Sequence, residues 1–541
     1  MHPENIKNSH RVPLSESYLW KRQTEFYQSK NILAWDSRVP YYATCNPYIA
    51  NAYANTIVRY IQEIMGQAAS GHLPCYIVEL GAGHGVFTFY LLRSIEELIN
   101  QLGLKNLPFV YVATDCVPAN VDFWKGHPQF QDYISRGKLD FAVFDLLKDT
   151  RLQLQVSGNV IDACDRLSAD PPMVLIANYL FDSLPQDLFR VVDGEVFEGM
   201  APLEPDIPES LPDNTEISLA AGGCPITYEK ATVPRYEAAE LNEVLERVLA
   251  RSPNQFVLMS SYALRGLQKL LTLAGDRCLL IATDKAYGRD AHLYSQNEPG
   301  LVFHDAAFSM MVDFGVIGEF FRQYGGDCFR QTTTKAIGTS VFLSGASFNN
   351  LVETRHAAHQ FLDRFSPGDL FGLYSHFQNV QFGSSLNVLV SFLNMTGWDP
   401  YVFESHFHHI LSIVESSDTF AIQDLVRGLP QMAENYYQLQ PGNPFFENIG
   451  VLLQKLKLFE KAIEFYERAL ELCHDKPATY YNLGLCCCAL ADMEKAKTCF
   501  AKAIQLKPDH ILARGWLQMV EDQTRPVEES PPQGKQTTVS S

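Results

Sequence analysis

No stretch of about 18 apolar residues occurs in the 541-residue chain, and no apolar core follows the basic residues of MHPENIKNSHRVPLSESYLW, so neither a membrane span nor a secretory leader is expected. The expectation is a cytoplasmic protein without a membrane partner. The sequence also lacks a C-x-x-C pair. Its twelve cysteines, Cys486-Cys487-Cys488 among them, are scattered, without zinc or redox spacing, and read as free thiols. Basic charge is in deficit: 43 lysines and arginines face 62 aspartates and glutamates, a net charge of −19, which repels a phosphate backbone and argues against nucleic acid as a partner. Apolar residues at 46% and charged residues at 19% exclude a disordered or fibrous chain, and the length exceeds what one core usually serves.

Residues 1–74 read as a helical lead-in, with Tyr48, Ala52, Ile57 and Tyr60 among its apolar positions and Gly71-His72-Leu73-Pro74 at its end. From residue 75 the pattern changes to short apolar runs, Tyr76–Val78, Phe109–Val112, Phe141–Phe144 and Val174–Ala177, as expected of strands buried on both faces of a parallel sheet. Between the first two runs, Phe87, Leu91, Ile95, Leu98 and Leu102 repeat at helical spacing, which gives a right-handed strand, helix, strand unit. The class is α/β, doubly wound and Rossmann-like, over residues 75–345. An excursion is expected at about 200–255, loop-like to about 235 and helical at 236–250, with late strands at 278–281 and 340–343. Residues 346–430 look helical without a nameable motif. Residues 523–541 are polar and too poor in apolar side chains to order.

The segment Glu79-Leu80-Gly81-Ala82-Gly83-His84-Gly85 leaves the first strand and enters the first helix. Glycines there permit a tight turn and let a ligand lie on the main chain, while the helix N-terminus offers unpaired N–H groups to a carboxylate or phosphate. A dinucleotide fingerprint needs its third glycine at position 86, where this chain has Val86; Gly85 instead gives G-x-G-x-G. That form, with Glu79 two residues before it, resembles motif I of class I methyltransferases. The resemblance implies S-adenosyl-L-methionine as cofactor, its methionyl carboxylate at the helix N-terminus. The competing reading is a tight turn in an unliganded α/β domain. Asp115, ending the second strand, suits a pair of ribose hydroxyls, or is a solvated strand-end aspartate. Asp145, ending the third, either accepts from the adenine amino group or caps the helix from Leu146.

At the end of the fourth strand, Asn178-Tyr179-Leu180-Phe181-Asp182-Ser183-Leu184-Pro185 lies where open α/β sheets bind ligands. It is similar to the N-E-F-F-D-A-L-P segment of the MidA-like methyltransferases, the family of the mitochondrial complex I assembly protein arginine methyltransferase. The Tyr41-Tyr42 region, the Gly81–Gly85 loop and Met311-Val312-Asp313-Phe314 follow the same order, so the resemblance spans about residues 20–345. It implies methyl transfer to a protein side chain, with Asn178 and Asp182 at the substrate end; Asp182 reads equally as a helix-start aspartate. Tyr179 stands where the family has glutamate, and Met311 where it often has histidine. A guanidinium buried without a carboxylate partner costs several kcal/mol, so a neutral nucleophile, or a binding protein that transfers nothing, is expected in place of an arginine methyltransferase.

Residues 443–508 hold two copies at a period of 34. Phe446, Ile449, Gly450, Ala462, Tyr466 and Ala469 fall opposite Tyr480, Leu483, Gly484, Ala496, Phe500 and Ala503. This resembles tetratricopeptide repeats and implies an all-α module, residues 431–522, that binds a partner or substrate protein or else only docks on the catalytic domain. Leu512–Val520, with Trp516, is the expected capping helix, and part of 400–440, with Tyr436 and Tyr437, a degenerate unit. His406-Phe407-His408-His409 reads as a helix face and not a metal site, since only Glu404 lies at ligand spacing.

Overall fold

The structure, a computed structural model, describes residues 10–35, 41–67, 74–104, 107–165, 170–208, 216–287, 297–304, 307–331, 337–379, 385–440, 442–472 and 475–524. The polar tail lies outside them from residue 525, as do Gly71 to Leu73. The chain divides into two compact units, Met1–Asn379 and Val380–Ser541.

The first unit is built on one central sheet, whose main strands are numbered here β1 (Cys75–Leu80), β2 (Phe109–Asp115), β3 (Leu139–Val143), β4 (Met173–Asn178), β5 (Cys278–Tyr287), β6 (Asp327–Arg330) and β7 (Ile337–Ser344). Their order is β3-β2-β1-β4-β5-β7-β6, with a short strand, Val312–Asp313, beside the end of β5. β1 to β5 run parallel, and β7 is antiparallel to both neighbours. This is the Rossmann-like class I methyltransferase arrangement. The apolar runs explain it: Val78, Val112, Leu175 and Leu280 are fully buried, as strands covered on both faces require. The chain builds outward from β1 through β2 to β3, then returns to lay β4 on the other side of β1. The switch point therefore falls between β1 and β4, and a crevice opens beyond their carboxyl ends.

Helix α1 (Leu19–Lys30) and helix α2 (Pro47–Gln67) lie in the lead-in, and helix α3 (Val86–Gln101) forms the first crossover. Two stretches hold more strand than their composition suggests. Arg11–Pro13, Glu195–Pro202, Asp187–Val192 and Gln255–Met259 form a second, antiparallel sheet, with Thr227–Lys230 paired to Glu195–Pro202. Asp193 and Gly194 turn its hairpin at φ 49° and 82°, the paired positive torsions of a two-residue Asp-Gly turn. Leu188, Ala201 and Leu258 of this sheet, with Phe303 and Phe308 of the separate hairpin Gly300–His304/Ala307–Ser309, close over Leu14 and Trp20. Residues 346–379 belong to the first unit: the Glu63 carboxylate on α2 accepts from the backbone N–H groups of Glu353 and Thr354, at 2.9 Å each, at the start of helix Val352–Ala357.

The second unit is all helical. Phe445–Lys455, Phe459–Leu472, Pro477–Ala489 and Met493–Leu506 form two consecutive helical hairpins, and Ile511–Thr524 follows as the capping helix. A Cβ on Gly450 would stand 2.6 Å from the Tyr466 ring, and one on Gly484 would stand 2.6 Å from Phe500. Only hydrogen fits where the helices of each hairpin cross. Trp516 stacks on Phe500, and Tyr436 lies flat on Phe445 at 4.4 Å between ring centres, joining the hairpin Pro400–Ile413/Thr419–Asn435 to the repeats.

Candidate functional site

The glycine loop sits at the switch point. Gly81, Gly83 and Gly85 all have positive φ, at 67°, 58° and 81°. In that region a side chain costs roughly 1–2 kcal/mol per residue, so glycine is required by torsion at each position. Two acids hold the loop. Glu79, at the end of β1, is buried and turns its carboxyl inward, accepting from Thr88 Oγ1 on α3 at 2.5 Å and from the Tyr111 hydroxyl on β2 at 2.8 Å. Burial raises its pKa to about 7 against the pull of those two donors. Asp115, at the end of β2, accepts from Gly83 N–H at 3.0 Å on one oxygen and from Val117 N–H at 2.9 Å on the other. Burial raises its pKa as well. His84 is buried, neutral and edge-on to Tyr41 at 4.7 Å, its pKa lowered by burial to about 3.

A cavity of about 180 Å³ lies beyond these strand ends. Gly81, Asp115, Cys116 and Val117 line it on one side; Asn178 to Leu180, Asp182, Ser183 and Leu184 line it from the end of β4, and Lys285, His304, Phe308 and Ser309 from another. Gln23, Thr24 and Tyr27 of α1 complete it, so the lead-in contributes to the site. Gln23 clamps Phe308, donating to its carbonyl at 2.6 Å and accepting from its N–H at 2.9 Å.

Asn178 is oriented by a run of hydroxyls. The Tyr53 hydroxyl on α2 donates to Asn178 Oδ1 at 2.7 Å and lies 2.5 Å from Thr283 Oγ1, which lies 2.6 Å from Thr339 Oγ1. Tyr53 has one proton and gives it to Asn178, so Thr283 must donate to Tyr53, and Thr339 to Thr283. Asn178 Nδ2 is then left buried without a hydrogen-bond partner among the described residues, on a side chain that lines the cavity. Tyr179 follows at φ 48°, its hydroxyl also buried and unpartnered among the described residues.

Asp182 comes from the short helix Phe181–Ser183 and is buried. Its carboxyl hydrogen-bonds that of Asp284 on β5, which also accepts from Phe181 N–H at 2.9 Å. Burial lifts both acids, Asp182 to about 6, and Asp284 is held well above the usual carboxylate range by burial first and then by the neighbouring Asp182. Beside them Lys285 Nζ lies 2.5 Å from His304 Nε2 and donates to Ser309 Oγ at 2.8 Å. Burial lowers Lys285 to about 8, and burial with the neighbouring ammonium lowers His304 to about 3. His304 is therefore the acceptor of the lysine proton.

Of the residues singled out from sequence, Gly81, Asp115, Asn178 and Asp182 line the cavity, while Glu79, Gly83 and Gly85 shape its loop from behind. Asp145 does not line it. Its carboxylate accepts from Leu147 N–H at 2.9 Å and pairs with Lys148 at 2.7 Å, closing a turn at 146–148 where a helix was expected. Asp313 caps the following helix through Gly315 N–H and pairs with Arg251 at 3.1 Å, and Met311 is buried in the second layer. No group of three metal-ligating side chains occurs among the described residues; His406 Nδ1 lies 2.8 Å from the carbonyl of Val402. Asp284, Lys285, His304 and Ser309 escaped the sequence reading. Asp284-Lys285 was findable, as the charged end of an apolar strand at the ligand-binding edge. His304 and Ser309, on the hairpin Gly300–His304/Ala307–Ser309, carry no local signal.

Comparison with known proteins divides along the same two regions. The N-terminal part is similar to a crystal structure of an uncharacterised protein from Burkholderia thailandensis (13% identical, TM-score 0.34, covering 59% of this chain and 72% of that one). It is similar also to a superfamily member from that organism described as a candidate methyl transferase and bound to S-adenosyl-homocysteine (14% identical, TM-score 0.34, covering 59% and 73%). Over 69 residues the chain is 39% identical to the mitochondrial import receptor subunit TOM70 of Saccharomyces cerevisiae, 13% of this chain and 10% of that protein. Over 109 residues it is 31% identical to a UDP-N-acetylglucosamine–peptide N-acetylglucosaminyltransferase of Giardia intestinalis, 20% of this chain and 7% of that protein. The chain thus spans a tenth or less of these curated relatives. Residues 445–509 match the tetratricopeptide repeat family.

Proposed function

We propose that the first unit binds S-adenosylmethionine and transfers its methyl group, and that the repeats recruit the protein that carries the acceptor. The observation that carries this reading is the loop of three positive-φ glycines at the switch point, held by Asp115, with Gly81 and Asp115 lining one cavity. The residues fit the cofactor. A carboxylate offers about four acceptor sites, and Asp115 uses one on each oxygen for Gly83 and Val117, so each oxygen can still take a ribose hydroxyl. The main chain at Gly81 and the start of α3 suit the methionyl carboxylate. The orphaned Asn178 Nδ2 supplies a donor on the cavity wall. Val86, buried at the first turn of α3, takes the place of the third glycine of a dinucleotide site.

When bound, the cofactor supplies an activated methyl on a sulfonium. The protein's part is to orient the acceptor, exclude water and take up a proton, and most of the rate then comes from positioning. Tyr179, its hydroxyl buried where the MidA-like segment has a carboxylate, favours a second reading in which the chain binds the cofactor and assembles partners without transfer. Calorimetric titration with S-adenosylmethionine, S-adenosylhomocysteine and NAD tests the first step. The two adenosyl compounds should bind in the micromolar range and NAD not at all; NAD binding in their place would overturn the reading.

A further inference from the structure

Three strands bring a polar row to one face of the central sheet. Asn178 on β4 pairs with Thr283 on β5, and Thr283 pairs with Thr339 on β7, so their side chains leave the same face, where Tyr53 of α2 meets them. The row has a direction. Thr339 Oγ1 lies 2.6 Å from Thr283 Oγ1, Thr283 Oγ1 lies 2.5 Å from the Tyr53 hydroxyl, and that hydroxyl lies 2.7 Å from Asn178 Oδ1. Running from Thr339 to Asn178, each hydroxyl proton has an acceptor and Oδ1 is satisfied. Were the amide turned over, Tyr53 would accept from Nδ2 and every proton would run the other way, leaving that of Thr339 with no acceptor among the described residues. Tyr53 and Thr283 are fully buried and Thr339 nearly so, and water does not reach the stranded proton. The amide is therefore fixed with its oxygen on Tyr53, and Nδ2 is the end left without a partner among the described residues. Of the four side chains only Asn178 lines the cavity, so what the hydroxyls determine reaches a ligand through it alone.

Resting on the proposed cofactor binding, we propose that Tyr53 is a positioning residue. Through Asn178 it presents a donor to the cavity, and the ligand atom met at the end of β4 is an acceptor oxygen, on the cofactor's carboxylate or on a carbonyl or carboxylate of the methyl acceptor. Asn178 stands one residue beyond the Leu80–Ala177 pair and so borders both the glycine loop and the Asp182 side of the cavity. A guanidinium or an ammonium, which carries donors only, meets no acceptor at Asn178.

The test is calorimetry on the full chain. Asn178→Asp puts an oxygen where the donor stood and still accepts from Tyr53. When the oxygen is the cofactor's, this variant should bind S-adenosylhomocysteine at least about tenfold more weakly and 5′-methylthioadenosine, which has no carboxylate, within about twofold of wild type. When the oxygen is the substrate's, both adenosyl compounds should stay within about twofold, and N-acetylglutamine methylamide, titrated into the chain loaded with S-adenosylhomocysteine, should lose at least about tenfold instead. Tyr53→Phe keeps the ring against Phe87 and removes only the hydroxyl. It should weaken the same probe, and no other, at least about threefold, and Asn178→Asp should then cost less than it does in the wild type. Should Asn178→Asp not fold, the selectivity of Tyr53→Phe among the three probes decides alone. Asn178→Asp weakening none of the probes, or Tyr53→Phe weakening all of them equally or none, overturns this assignment. Failure of S-adenosylhomocysteine to bind the wild type overturns the proposed function instead.

Discussion

Glycine does opposite work in the two units. In the loop after β1, Gly81, Gly83 and Gly85 are required by torsion, and Gly81 lines the cavity proposed for the cofactor. In the repeats, Gly450 and Gly484 sit in ordinary helix and are required by a neighbour: Tyr466 and Phe500 already fill the space. The same residue type therefore marks function in one unit and packing in the other, and substitutions should separate the two.

The largest effect is expected at the loop. Gly83→Val forces a branched side chain into φ 58° and disturbs the N–H that holds Asp115. Strain of about 1–3 kcal/mol placed on the binding geometry should weaken S-adenosylhomocysteine on the order of 100-fold by calorimetry, while the circular dichroism stays native. A variant that binds as tightly as wild type would remove the loop from the site.

Gly484→Ala should fail differently. Helix propensity alone favours alanine by roughly 1 kcal/mol, but its Cβ would meet Phe500 at 2.6 Å, and overpacking costs about 1–3 kcal/mol. The expected result is a net loss of stability in urea with cofactor affinity unchanged, and partial recovery in Gly484→Ala/Phe500→Leu. A stabilised single variant would mean the repeat helices tolerate separation.

Glu79 has no counterpart in the repeats, and it gives the first unit a pH signature. Its pKa rises from 4.5 to about 7 on folding, so between those values the folded state binds more protons than the unfolded chain. Its contribution is complete below about pH 4.5 and is lost as pH climbs through 7. Glu79→Gln should flatten the fall in stability over that window, by at most about one proton in the slope of unfolding free energy against pH. A slope unaltered by the substitution would place the ionised form of Glu79 in the folded protein.

The two units also differ in how much of them the sequence discloses. The repeats are local: a 34-residue period named the glycines and the aromatics, and the structure brings them together within each hairpin, Gly450 with Tyr466 and Gly484 with Phe500. The central strands were legible for a similar reason, since burial on both faces leaves unbroken apolar runs. The second sheet was not, because Arg11–Pro13 pairs with Ala201 and its neighbours across about 190 residues. The Asp193-Gly194 turn is a local signal for its hairpin that the sequence reading did not use. At the site, the loop and Asp182 follow from position at strand ends. The Lys285–His304–Ser309 contacts depend on how an inserted hairpin folds back, and no spacing encodes that.

The smallest expected effect is the removal of residues 380–541. Among the described residues, every side chain that lines the cavity, from Gln23 to Ser309, and both acids that hold the glycine loop lie in residues 1–379. Asn178 is oriented through Tyr53, Thr283 and Thr339, and Lys285 through His304 and Ser309. Binding that uses only these contacts should not register the loss of the second unit. Affinity of residues 1–379 for S-adenosylhomocysteine should stay within about twofold of the full chain, a change of roughly 0.4 kcal/mol. Pull-down of a protein partner by the full chain, by contrast, should disappear with the repeats. A truncated chain that keeps its near-ultraviolet dichroism yet loses the cofactor would make the repeats part of the site, and the division between a ligand-binding and a partner-binding unit would fall.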